Sequence, residues 1–140
     1  MTTIQGVLVD SSVLLDIVTE DPHWFAWSSE ALATWAERVP LSINVVIYAE
    51  VSIGFARIEE VEAALPLDDF RRLPVPWEAG FLAGKAFVIY RQRGGTRTQP
   101  LPDFFIGAHA AVADLSLLTR DPRRVRTYFP QVHLITPPPA

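Results

Sequence analysis

The chain has 140 residues, 49% of them hydrophobic and 20% charged, with no cysteine and a formal net charge of −4. This length suits one domain with one core, and the composition excludes a disordered chain. The lack of cysteine excludes disulfides, thiolate catalysis and zinc–thiolate sites. No apolar run approaches the roughly 18 residues of a membrane span. The N-terminus lacks the pattern of a signal peptide. A cytoplasmic protein without a membrane segment fits these features and is our expectation.

The charge is unevenly distributed between the two halves of the chain. Residues 1–69 hold twelve acids and two bases, whereas residues 70–140 hold four acids and ten bases. Such asymmetry suggests a nucleic-acid partner for the basic half, although the sequence pI of about 5.3 is low for a nucleic-acid binder. Because an acidic pocket lowers the pI without preventing a basic rim, we expect the arginines of the second half to bind a nucleic-acid backbone. Those that flank the loop at Gly94-Gly95 are Arg91, Arg93 and Arg97, and those that surround Asp121 are Arg120, Arg123, Arg124 and Arg126.

Hydrophobic periodicity and helix signals predict strands that alternate with helices. In chain order the predicted elements are a strand at 7–9, a helix at 11–18, a helix capped by Asp21 with Pro22 at its first position, a strand at 41–43, a helix at about 44–56 capped by Asn44, a helix at 58–65, a possible strand at 70–75, a helix at about 77–92, a helix at 103–113, a strand at 116–119, a helix at 122–128 and a strand at 132–135. Such alternation favours an α/β fold, a three-layer α/β/α sandwich around a mainly parallel sheet. We expect a single domain over residues 1–136 and a proline-rich tail at 137–140.

Four carboxylates lie within or beside segments that otherwise suit a hydrophobic core. They are Asp10, Glu50, Asp103 and Asp121. Carboxylates are rarely buried unless they are paired or bound to a metal. Asp10 and Asp121 come just after predicted strands and Asp103 begins a predicted helix, so we expect these three on one rim of the sheet, where ligands bind in such folds.

Each acid also has a simpler explanation. Asp10, Asp103 and Asp121 could serve only as helix N-caps, Asp121 especially, because a proline follows it. Glu50 has apolar or small neighbours at helical spacing and could instead pair with Arg57. Asp16 is expected to face solvent or to cap a helix.

The chemistry of the four acids favours a hard divalent cation. The histidines His23, His109 and His133 lack HxH or HExxH spacing, which argues against a zinc site. Mg²⁺ and Mn²⁺ prefer oxygen ligands and can activate a water for displacement at phosphorus. Gly107 lies one turn after Asp103 and would leave room for an ion or a phosphate.

Four segments resemble, in register, the motifs of the PIN-domain ribonucleases, especially VapC-type toxins of toxin–antitoxin pairs. The segments are Val9–Asp16 (VDSSVLLD), Asn44–Val51 (NVVIYAEV), Leu101–Ala110 (LPDFFIGAHA) and Leu118–Pro122 (LTRDP), followed by Tyr128-Phe129-Pro130. The resemblance spans almost the whole chain. It implies a metal-dependent endoribonuclease in which Asp10, Glu50, Asp103 and Asp121 bind Mg²⁺ or Mn²⁺ and Ser12 assists near the first acid. It also implies a homodimer and a small VapB-type antitoxin partner.

Two other functions stay open at this point. A phosphatase-like α/β domain also clusters acids after strands, and a phosphoaspartate receiver would need a lysine at the pocket. Lys85 is the single lysine and falls in the middle of a predicted helix. A PIN-like binding module without catalysis is the second alternative.

Overall fold

The computed structural model describes residues 3–139, which form five strands and seven helices. In chain order these are β1 (Val7–Val9), α1 (Ser11–Val18), α2 (Phe25–Ala36), β2 (Leu41–Ile43), α3 (Val45–Ser52), α4 (Ile58–Ala64), β3 (Arg71–Arg72), α5 (Trp77–Gln92), α6 (Pro102–Ala113), β4 (Ser116–Leu118), α7 (Arg123–Tyr128) and β5 (Leu134–Ile135). The predicted α/β/α fold class is confirmed, and every observed element was predicted. The division into a domain at 1–136 and a tail at 137–140 stays a prediction.

The strands form one parallel sheet in the order β3-β2-β1-β4-β5. The chain winds outward from β1 through β2 to β3, and then returns to the other side of β1 as β4. The strand order therefore reverses beside β1, and ligands bind at the carboxyl ends of strands at such a reversal. The central strands are apolar and fully buried, as Val7, Leu8 and Val9 show at 0% exposure. This rigid centre holds the residues that follow β1 and β4.

Several boundaries differ from the predicted ones. Asp21 does not cap α2 directly, because its Oδ1 accepts hydrogen bonds from the backbone of His23 and Trp24 at 2.8 and 2.9 Å and closes a turn before Phe25. Helix α3 ends at Ser52 rather than near 56. Only Arg71 and Arg72 of the predicted strand at 70–75 pair with β2, since the prolines that follow have no N–H for a ladder.

Gly107 in α6 has a packing role. A Cβ at this position would lie 2.6 Å from the ring of Phe129, so the missing side chain admits an aromatic ring. The expectation that Gly107 leaves room for an ion or a phosphate was therefore wrong. Of the helices within residues 3–139, none has both the length and the apolar character needed to cross a membrane.

Candidate active site

Asp10 is the buried centre of the candidate site. It directly follows β1, and its backbone N–H donates to the carbonyl of Leu118 in β4 at 2.9 Å, so the sheet fixes its position. Its residue is only 8% exposed. Asp10 occupies the N-cap position of α1, but its side chain makes no capping hydrogen bond. Capping by the carboxylate therefore does not explain this acid.

Two hydroxyl groups hold the Asp10 carboxylate from one side. Ser12 Oγ donates to Asp10 Oδ2 at 2.6 Å and Thr119 Oγ1 donates to the same oxygen at 2.8 Å. Ser12 Oγ in turn accepts a hydrogen bond from the Arg120 backbone at 3.2 Å, and Thr119 Oγ1 accepts one from the Asp121 backbone at 3.1 Å. Both hydroxyls bond to one oxygen of Asp10, which leaves Oδ1 for a cation.

Glu50 lies on α3 and is half-buried. Ser11 Oγ donates to Glu50 Oε1 at 2.9 Å, which connects this glutamate to the start of α1. The alternative partner Arg57 bonds to Glu59 instead, at 3.4 Å. The apolar surroundings expected from the sequence are only partly present, because α3 ends at Ser52 and Ile53 is 86% exposed.

Asp103 lies in the first turn of α6, behind an N-cap formed by Leu101 that makes no side-chain bond. Its side chain is 46% exposed, and its Oδ2 lies 3.7 Å from Arg124 Nη1. Asp121 is more exposed, at 56% of its side chain, and its Oδ1 lies 3.5 Å from Arg123 Nε. It does not cap α7 either, since Pro122 holds the N-cap position. The capping alternatives for Asp103 and Asp121 are therefore not supported.

Three of the four acids repel one another across the site. Burial raises the pKa of Glu50, and the charges of Asp10 and Asp103 raise it further, while the Ser11 hydrogen bond lowers it. Burial also raises the pKa of Asp103, and the negative charges of Asp10 and Asp121 raise it further. The positive charge of Arg124 lowers it. The charge of Asp10 therefore acts on both Glu50 and Asp103, and the charge of Asp121 acts on Asp103. The structure thus groups Asp10, Glu50 and Asp103, with Asp121 beside Asp103.

The donor set suits a hydrated Mg²⁺ or Mn²⁺ better than a fully protein-ligated ion. Within residues 3–139, no three acidic or histidine side chains are already arranged around one metal position. Mg²⁺ usually keeps several waters and binds one or two carboxylates directly, so a complete protein cage is not required. The oxygen-only chemistry, the free oxygen of Asp10 and the mutual repulsion of the acids fit such an ion. Asp10 would bind it most directly.

A polar pocket of about 360 Å³ adjoins the acids. Its lining residues are Asp103, Asp121, Arg123, Arg124 and Thr127. Both arginines are partly or largely exposed, at 89% and 41% of their side chains, and guanidinium groups bind phosphate bidentately. The pocket therefore places carboxylates and guanidinium groups side by side.

Sequence reasoning missed three polar residues of this region. Ser11 bonds directly to Glu50 and Thr119 bonds directly to Asp10. The only signal for them in the sequence is that each lies within two positions of one of the four acids. The expectation for Asp16 was wrong, because it is 2% exposed and pairs with Arg120 at 2.9 Å. That pairing also engages Arg120, which was expected to bind RNA.

The family of the chain follows from comparison with known proteins. The model of the PIN domain family matches residues 7–130. No curated protein sequence matches the chain. A chain from the VapBC2 complex of Rickettsia felis with promoter DNA is 16% identical, with 94% of this chain and 98% of that chain covered and a TM-score of 0.71.

Other toxin–antitoxin complexes show a similar fold. A chain of VapBC-1 from nontypeable Haemophilus influenzae is 15% identical at the same coverage and TM-score as the Rickettsia chain. A chain of DNA-bound VapBC from Salmonella typhimurium is 18% identical, with 96% of this chain and 98% of that chain covered and a TM-score of 0.66. At these identities the likeness concerns the fold alone. The family match covers most of the chain and all four acids, and the chain therefore belongs to the PIN domain family.

Proposed function

We propose that this protein is a Mg²⁺- or Mn²⁺-dependent endoribonuclease that acts as the toxin of a toxin–antitoxin pair. The observation that carries the proposal is the group of mutually repelling carboxylates, Asp10, Glu50 and Asp103, at the strand-order reversal of a PIN domain. A divalent cation would compensate their charge, and a phosphodiester needs one for its own charge. Asp121 adds a fourth acid at the edge of the same site.

The residues have distinct roles in this proposal. Asp10 is the principal metal ligand, and Ser12 keeps its carboxylate oriented through the 2.6 Å hydrogen bond. Glu50 and Asp103 contribute charge directly or through water, and Asp121 acts through water. The bound ion would neutralise the acids and supply an activated water for hydrolysis. Arg123 and Arg124 would hold substrate phosphates beside the acids once the cation replaces them as partners of Asp121 and Asp103.

A cognate VapB-type antitoxin is the proposed protein partner. Several solved structures similar to this chain are VapBC or FitAB complexes bound to DNA, and others are described as toxin–antitoxin complexes or systems. The site of this chain opens to solvent at Asp121 and Arg123, so a partner can reach it. A partner that offers a cationic side chain to the acids would compete with both metal and RNA.

A homodimer is also part of the proposal, because several large apolar side chains are exposed. Trp77 and Phe81 on α5 are 94% and 65% exposed, and a second copy would remove this surface from water. We expect sedimentation to give twice the mass of one chain. A protein that stays monomeric at micromolar concentration would contradict this part.

The nuclease proposal is tested with purified protein and a mixed RNA substrate. We expect cleavage with Mg²⁺ or Mn²⁺, no cleavage with EDTA, and recovery when the metal is added back in excess. Cleavage that continues at full rate in EDTA would overturn metal dependence. Hydrolysis of small phosphomonoesters with RNA left intact would favour the phosphatase-like alternative, and inactivity on both would favour a binding module.

The toxin proposal is tested in cells. We expect expression of the chain alone to stop bacterial growth, and expression with a co-encoded antitoxin to restore it. The matched control is the Asp10→Asn variant, which should be harmless at the same expression level. Normal growth with the wild-type chain, together with RNA cleavage by the purified protein, would leave a nuclease that is not a toxin.

A further inference from the structure

Beside the candidate site, an ion pair between Asp16 and Arg120 connects α1 to the segment after β4, and Ser28 of α2 bonds to the same carboxylate. Asp16 of α1 is 2% exposed. Arg120 donates to it twice, from Nη2 to Oδ1 at 2.9 Å and from Nε to Oδ2 at 3.1 Å. Ser28 of α2 donates to Oδ2 at 2.8 Å. A buried carboxylate is costly unless its oxygens are satisfied in this way, so the geometry around Asp16 is held tightly.

Segment 119–121 links the Asp16 ion pair to the groups that support Asp10. Arg120 pairs with Asp16, while Arg120 and Thr119 both take part in the hydrogen bonds around Asp10. The Arg120 backbone N–H donates to Ser12 Oγ, while its side chain bonds to Asp16. Thr119, one residue earlier, donates to Asp10 Oδ2 at 2.8 Å. Displacement of this segment would therefore move the Thr119 hydroxyl and break the hydrogen bond from the Arg120 backbone to Ser12 Oγ.

Arg120 is unsuited to bind a substrate phosphate in this arrangement. Two of its nitrogens face Asp16, and its guanidinium carbon lies 5.7 Å from the centre of the Trp24 ring. The bidentate pair and the aromatic face fix the guanidinium on the α1–α2 side. The nearby Arg123 and Arg124 line the pocket with the acids instead.

We infer that Asp16 and Arg120 form a positioning pair that holds segment 119–121 so that Ser12 and Thr119 keep the Asp10 carboxylate aligned for its cation. In this inference both residues act through Thr119 and Ser12 and not by direct contact with metal or substrate. This inference rests on the proposed metal-dependent nuclease function. Thr119 bonds to Oδ2, and the Arg120 backbone bonds to Ser12, only while the segment stays in place. A looser segment would let the carboxylate rotate and offer the cation a poorer site.

The pair is tested with the full-length protein and three variants. Asp16→Asn removes the charge but keeps an acceptor for Ser28, and Arg120→Lys keeps the charge but loses the bidentate grip. The matched control is Glu62→Gln, which breaks the bidentate Glu62–Arg72 ion pair of α4 and β3, a pair that makes no contact with the acids. For each variant we would measure the melting temperature, kcat and KM on RNA, and the Kd of Mn²⁺ by calorimetry well below the melting temperature.

We expect Asp16→Asn to lower kcat by about tenfold or more, with KM changed by less than about twofold. We also expect Mn²⁺ binding to weaken by about threefold or more. This is less than the roughly 10–100-fold that direct partners of metal ligands contribute, because the pair acts on Asp10 through Thr119 and Ser12. Arg120→Lys should fall between the wild type and Asp16→Asn, and Glu62→Gln should match the wild type in kcat and Mn²⁺ affinity.

Wild-type kcat and Mn²⁺ affinity in Asp16→Asn would overturn the inference whatever the loss in melting temperature, because the pair would then be structural only. Should Asp16→Asn fail to fold, Arg120→Lys decides by the same two measurements. A wild-type protein that binds Mn²⁺ without cleaving RNA would refute only the nuclease function. The Mn²⁺ affinities of the wild type and the variants would then still show whether Asp16 and Arg120 position Asp10. A wild-type protein that binds no Mn²⁺ would overturn both.

Discussion

Exchanging Asp10 for asparagine is expected to lower the rate of RNA cleavage at saturating Mg²⁺ by about 100-fold or more. The asparagine keeps an oxygen that can accept from Ser12 and Thr119, so the fold should be retained. It loses the negative charge that would bind the cation at the centre of the site. Single-turnover cleavage of one defined RNA, measured beside the melting temperature, separates the catalytic effect from a folding defect.

A matched control for Asp10→Asn is Asp114. It precedes β4 and therefore lies at the opposite edge of the sheet from Asp10, which follows the parallel strand β1. Asp114 is exposed and adopts left-handed backbone angles, with φ 54° and ψ 45°, which asparagine tolerates well. We expect Asp114→Asn to leave the rate unchanged, and Asp121→Asn to lower it by only about tenfold. Cleavage by Asp10→Asn at the wild-type rate would remove Asp10 from the site and with it the proposed mechanism.

Replacement of Glu50 by glutamine is expected to change activity and stability in opposite directions. Burial and the charges of Asp10 and Asp103 raise the pKa of Glu50, so its ionised form is disfavoured in the folded, metal-free protein. Glutamine can still accept the hydrogen bond from Ser11 but carries no charge. We expect Glu50→Gln to lower cleavage by about tenfold or more and to raise the melting temperature of the metal-free protein at pH 7 by about 1–2 °C.

The pH dependence of stability gives the sign of this effect. A carboxyl group whose pKa is raised in the folded state contributes stability below its unfolded pKa and loses it as the pH rises through the folded value. The metal-free wild type should therefore lose stability as the pH rises from about 4 through the raised pKa values of Glu50 and Asp103. The Glu50→Gln variant should lose less.

Thermal melts of both proteins between pH 4 and 8, with EDTA and then with Mn²⁺, check this prediction. Added Mn²⁺ should stabilise the wild type more than the variant, because an ion that binds the folded state raises its stability. Exposed Glu30 on α2 supplies the matched control, and Glu30→Gln should change neither activity nor the pH profile. A Glu50→Gln protein that melts earlier than the wild type at pH 7 in EDTA would contradict the proposed repulsion.

Much of the fold was predictable because it depends on local patterns. The buried runs at Val7–Val9 and Leu41–Ile43 read as strands of a parallel sheet, and both are strands with full burial. Asn44 was predicted as a cap, and its side chain does accept from the backbone of Ile47 at 2.9 Å. Apolar runs and caps act within a few residues, so their effects can be read along the chain.

The boundaries were less predictable where a neighbouring contact competes with the local preference. Asp21 followed by Pro22 reads as a helix start, but Asp21 closes a turn first. The strand predicted at 70–75 is reduced to two residues by its partner strand and the following prolines. Such details depend on which hydrogen bonds remain available after the rest of the chain has folded.

The sequence by itself determined the alternating α/β order, the four acids and the strand ends at which two of them lie. Only the tertiary structure decided which acidic side chains are buried, exposed or paired. It buries Asp10 beneath two hydroxyls, leaves Asp121 exposed, and pairs Asp16 with an arginine 104 positions away. The physical reason is that the burial and pairing of a charge depend on groups brought together from distant parts of the chain, while periodicity and capping depend on near neighbours alone.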